Sequence, residues 1–108
     1  MLDLNRVLAF AVQPNRPPCE VRVNFGMFAG RAVTAAEIDD LARGLLPEFG
    51  RVTVVAEERH EFSEQSETSV HQVRIELPDD ADVDRVVVLA EHWAQSCISD
   101  RHTEISDP

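Results

Sequence analysis

Three groups of residues have the types and spacing to do chemistry. The first is Asp80, Asp82 and Asp84 followed by Glu91, which puts acids at positions 1, 3, 5 and 12 of a calcium-loop count. Position 6 of such a loop needs glycine for its sharp turn, and Arg85 stands there. The apolar pattern also runs at helical spacing from Val83 onward, leaving no room for a loop. These acids are therefore expected to cap a helix and to sit near the positive end of its dipole.

The second group is His60, His71 and Glu58. A hairpin turn centred between Gln65 and Ser66 would set His60 directly opposite His71, Val54 opposite Leu77, Ala56 opposite Ile75 and Glu57 opposite Arg74. Two imidazoles beside a carboxylate are a candidate transition-metal site or an acid–base pair. A firm metal site takes more ligands than these supply. Solvent-exposed histidines on a projecting hairpin are the plainer expectation.

The third group is the segment before a helix start, where Phe28, Gly30, Arg31 and Thr34 are candidate ligand-binding residues. Arg31 is the one cation there that can meet an anion beside the helix N-terminus. The phosphate loops GxGxxG and GxxxxGK[ST] are absent, and all ten basic residues are arginine. No GxSxG elbow occurs, so no catalytic residue is assigned and no cofactor is expected. Cys19 and Cys97 lack CxxC spacing and are expected to be reduced, partly buried thiols.

The elements that must position these groups are readable from Cys19 onward. Val21, Val23, Phe25 and Met27 alternate with polar residues and glycine, the period of a half-buried strand, and Phe28–Arg31 then reads as a turn. Thr34 and Glu37 fit a capping box. Ile38, Leu41, Ala42, Leu45 and Leu46 follow at helical spacing, with Pro47 and Gly50 expected to end that helix. Strands are expected from about Arg51, with Val52, Val54 and Ala56 on one face, and through Val73, Ile75 and Leu77. A last helix from near Asp82 buries Val83, Val86, Val87, Ala90, Trp93, Ala94 and Cys97.

Residues 4–12 fit helical spacing through Leu4, Val7, Leu8 and Ala11, and a strand through Leu8, Phe10 and Val12. The strand is favoured because residues 14–18 then form a short connection. The expected order is β-β-α-β-β-α, and the expected class is α+β. It is a two-layer, ferredoxin-like sandwich with its last strand moved to the N-terminus. Its four-stranded, mainly antiparallel sheet runs first, second, fourth, third, with two helices on one face. Residues 1–108 form a single domain, with a core over 19–98 and a frayed polar tail over 99–108. Val21, Val23, Phe25, Ile38, Leu41, Leu45, Val54, Val73, Ile75, Val87 and Trp93 are expected to make one contiguous core.

Charge narrows the partners. The chain has 108 residues and a net charge of −10, with 20 acids against 10 bases. Residues 1–33 carry four Arg against Asp3 and Glu20, whereas 34–67 and 68–108 each carry three Arg against nine acids. Such a surface repels phosphate, which argues against nucleic acid and anionic membranes. No apolar run approaches the roughly 18 residues of a membrane span, and no secretory signal pattern opens the chain. A cytoplasmic protein is expected.

The leading expectation is a non-enzymatic accessory or interaction domain that pairs with itself or another protein. The homodimer contact is placed on the hairpin, through Phe62, Val70 and Arg59. A small-ligand-binding regulatory domain of ACT-like topology, using the Phe28–Thr34 loop, is the alternative. A small enzyme or metal protein using His60, His71 and Glu58 comes third.

Overall fold

The computed structural model describes residues 7–12 and 19–106, with side chains as far as Ser99. The elements are β1 (Ala9–Val12), β2 (Cys19–Val23), α1 (Phe25–Ala29), α2 (Ala35–Phe49), β3 (Thr53–Phe62), β4 (Glu67–Leu77) and α3 (Val83–Ser106). The four strands form one sheet in the order β1-β2-β4-β3, and every neighbouring pair is antiparallel. The class is α+β, with the strand order implied by the sequence. The connection expected over residues 14–18 lies outside the described residues.

Register explains which side chains meet. Val21 lies opposite Ile75, and Val54 lies opposite the same Ile75 from the other side. Ala9 and Ala11 pair with Val23 and Val21, so the small residues of β1 share this face. Cys19, Val21, Val23, Val73, Ile75 and Leu77 join Phe25, Leu41, Leu45, Val86, Ala90 and Trp93 in one buried cluster. Val54 and Val87 are half-buried against it. Ile38 is half-buried and does not join the cluster.

Three elements depart from the sequence expectation. β2 stops at Val23, and Phe25–Ala29 form a helical turn where alternation predicted strand and loop. Phe25 is fully buried in this turn, as an inward strand position would also require, so the apolar period does not distinguish the two. Gly30 closes this turn at φ 72°, its amide donating to the Gly26 carbonyl at 2.9 Å. Pro47 does not end α2 but occupies its last turn, and Gly50 is the cap. α3 continues to Ser106, because neither glycine nor proline interrupts the chain before Pro108.

Candidate functional site

The β3–β4 hairpin carries the histidines, and its register differs from the expected one by two residues. Glu58, not His60, lies opposite His71, and His60 lies opposite Ser69. The turn is responsible. Ser63 donates its amide to the Ser66 carbonyl at 2.8 Å, and the Ser66 amide donates to Ser63 Oγ at 3.1 Å. This closes a loop over Glu64 and Gln65, one residue earlier than expected. An even shift leaves every side chain on its expected face and changes only its partner.

Glu58 is the centre of a small polar cluster. Ser69 Oγ donates to its Oε1 at 2.6 Å, and His60 Nε2 lies 3.4 Å from the same oxygen. The Ser69 hydrogen bond, aided by the fields of His60 and His71, holds the Glu58 carboxyl below the usual carboxylate range. His60 stacks on Phe62 with ring centroids 6.4 Å apart. His71 is held at the base of the arm by Gly26, where an added Cβ would fall 2.9 Å from the His71 Cβ. Only glycine allows α1 to sit this close. Among the described residues, no group of three or more His, Cys, Asp or Glu is placed to hold a metal ion.

Of the ligand-loop candidates, Phe28 is exposed on α1 and Gly30 is its cap, whereas Arg31 and Thr34 reach α2. Thr34 caps α2 in a full capping box, its Oγ1 accepting from the Glu37 amide at 3.2 Å. Arg31 forks onto Glu37, donating to both carboxylate oxygens at 2.8 and 2.7 Å. Its guanidinium also lies 5.2 Å over the Phe25 ring. The Arg31 hydrogen bonds, followed by those from Thr34, pull the Glu37 carboxyl down to about 2. Glu37 therefore already neutralises the cation expected to meet an anion.

Arg31, Thr34 and Glu37 stand at one end of a groove of about 1040 Å³ between α2 and α3. Trp93 Nε1 donates to the Glu37 carbonyl at 2.9 Å at this end. Arg85 on α3 grips both Glu48 oxygens on α2, at 3.1 and 2.9 Å. Cys97 lines the groove, and burial beside Glu37 pushes its thiol up to about 12, so it holds almost no thiolate at neutral pH. Asp82 Oδ1 accepts from the Arg85 amide at 3.3 Å, the capping role expected in place of calcium.

A second cavity, of about 210 Å³, brings two candidate groups to one place: Ala32 and Val33 of the loop face Glu58 and His71 of the hairpin. Periodicity did not anticipate this meeting, because it depends on α1 folding the loop back over β4. The interface candidates divide between faces. Phe62 lies on the Glu58 face, while Arg59 and Val70 pair across the other.

That other face carries a polar network among the residues that alternate with the buried strand positions. Arg22 donates to Glu20 and Glu57, each at 2.7 Å, and to Gln72 at 3.0 Å. Gln72 donates to Asn24 Oδ1 at 2.6 Å, and Asn24 Nδ2 donates to the Val7 carbonyl at 2.7 Å. Both amides are buried, so the chain of bonds ties the residues just before β1 to the sheet centre. Alternation alone does not show that two of the network's amides, Asn24 and Gln72, are buried. No helix among the described residues is long and apolar enough to cross a membrane. Comparisons with protein-family models, curated proteins and solved structures find no match to the chain.

Proposed function

We propose that the chain is a non-enzymatic interaction domain that works as a homodimer through its hairpin arm. The observation that carries this reading is the arm itself. Its side chains leave the core at Ala56, which is already exposed, and β3 then continues to Phe62, which is 71% exposed. A two-stranded ribbon is marginal in water without a surface to lean on, and a second copy supplies one. Two-fold pairs are the commonest assemblies.

The scaffold in this reading is a single-domain, ferredoxin-like sandwich with both long helices on one face. The strand order and the shared cluster of sheet and helix residues support it. A net charge of −10 favours a protein partner in the cytoplasm over nucleic acid or an anionic membrane. The ligand-binding alternative has the Glu58–His71 cavity in its favour. Against it, Arg31 and Thr34 are already engaged with Glu37.

Sedimentation of the wild type and of Phe62→Glu tests the homodimer. The expected result is a wild-type dimer at high micromolar concentration and a largely monomeric variant. A wild-type monomer, or a variant that stays fully dimeric, removes the arm from the contact. A thermal-shift screen against amino acids and nucleotides tests the alternative, because a saturable rise in Tm requires a bound ligand.

A further inference from the structure

Hydrogen-bond parity identifies an unused pairing surface on the arm. The Ser63–Ser66 pair is hydrogen-bonded, and antiparallel ladders alternate bonded and non-bonded pairs. Counting back through the register, Glu61, Arg59, Glu57, Val55 and Thr53 turn their amides and carbonyls toward β4. Val54, Ala56, Glu58, His60 and Phe62 turn theirs away. β3 stands at the edge of the sheet, and β4 is its only strand partner among the described residues. The opposite edge strand, β1, has only four residues.

Long edges are normally blunted by proline, by a bulge or by charge. β3 pairs with β4 in unbroken register and contains no proline, so charge alone protects it. That charge is arranged symmetrically about Glu58, with Glu57 on one side and Arg59 on the other. An antiparallel copy centred on Glu58 sets Glu57 opposite Arg59 twice, and Phe62 opposite Val54 twice. Ala56 then meets His60, and every outward-facing group of the strand finds a partner. Moving the centre to Arg59 opposes arginine to arginine and Glu57 to Glu61. Moving it to Glu57 opposes that glutamate to itself and carries Phe62 off the strand.

Resting on the homodimer reading above, we infer that β3 pairs with β3 of a second copy across a two-fold axis at Glu58, joining two sheets into one of eight strands. The exposed Phe62 is covered by the partner's Val54. One unfavourable contact remains at the axis, where Glu58 faces Glu58. Like charges directly across a ladder repel, while His60 beside each carboxylate offsets part of that repulsion.

The test combines sedimentation with disulfide trapping of the full chain. At a hydrogen-bonded antiparallel position the Cα atoms lie about 5.5 Å apart, within disulfide reach. Mild oxidation of Glu58→Cys is expected to give a covalent dimer. The control Thr68→Cys lies on β4, three strand spacings (roughly 14 Å) across and six residues (roughly 20 Å) along the strands from its copy, and is expected to give none. Glu58→Gln is expected to tighten self-association about twofold to fivefold. A dimer that Glu58→Cys fails to trap, that Thr68→Cys traps equally well, or that Glu58→Gln does not tighten overturns the edge pairing and leaves the homodimer standing. A wild-type monomer at high micromolar concentration overturns both.

Discussion

The two ends of the β3–β4 ladder use the same backbone pairing and are held by different forces. At the inner end, Val54 faces Ile75 and Ala56 faces Val73, and the β4 partners are fully buried. At the outer end, His60 faces Ser69 and Phe62 faces Glu67, and all four are exposed. Local bonds take over there: Ser69 to Glu58, and Ser63 to Ser66 at the turn. Backbone pairing is the same along the ladder, so burial is the force expected to make the inner end the more stable one.

Substitution at the two ends gives the largest expected contrast. Ile75→Ala should lower unfolding stability by about 2–5 kcal/mol, because it opens a cavity at a fully buried site. Thr68→Ala, on the exposed arm, should change it by less than about 0.5 kcal/mol. Denaturant titration of both variants measures the difference. Similar losses at the two sites would show that the arm is buried in the protein as it exists in solution.

The junction between the two ends rests on Gly26. Replacing it with alanine gives a helix former a Cβ that falls 2.9 Å from the His71 Cβ and 3.0 Å from its carbonyl oxygen. Backbone atoms do not yield cheaply, so the steric penalty outweighs the roughly 1 kcal/mol gain in helix propensity. A net loss of about 1–3 kcal/mol is expected. A gain in stability would mean that α1 does not press on β4.

Much of this contrast was legible in the sequence. Period-two alternation assigned the faces of β3 and β4 correctly, because parity survives an even register slip. Thr34 and Glu37 identified the α2 start by type and spacing alone. The meeting of His71 with Glu58 was not legible. It depends on a turn set by serine hydroxyls one residue earlier than composition suggested. α1 was hidden for a related reason: Phe25 and Met27 continue the β2 alternation past the point where Asn24 leaves the strand to bond the Val7 carbonyl. In β1 the large residues misled, since Phe10 pairs with Arg22 on the far face while Ala9 is the buried one.

Acid sharpens the comparison on the α2 side. The folded Glu37 carboxyl titrates near 2 against a reference of 4.5, because Arg31 and Thr34 bond its charged form. A depressed carboxylate stabilises the fold above its unfolded value, and that contribution is lost as pH falls from about 4.5 toward 2. With one face of the ion pair open to water, the loss should be about 1–2 kcal/mol. Glu37→Gln should flatten this part of the stability profile more than Glu58→Gln does, because the Glu58 carboxyl is also held low but lies exposed on the arm. An unaltered acid slope in Glu37→Gln would assign the effect to other carboxylates.

The smallest expected effect lies at neither end of the ladder. Gly44 occupies the middle of α2 on the wall of the α2–α3 groove, and an added Cβ meets nothing within 4 Å. Its φ is negative, as helices require, so glycine is not needed for backbone geometry. Elsewhere in this molecule a glycine marks a close approach, as Gly26 does. Gly44 instead marks open space and leaves the helix with excess backbone entropy in the unfolded chain. Gly44→Ala should therefore raise stability by about 0.5–1 kcal/mol, a Tm increase of roughly 2–8 °C for a domain of this size. Calorimetry on the variant reads this directly. A decrease would mean that α2 and α3 close on each other in solution and that the groove is narrower than described.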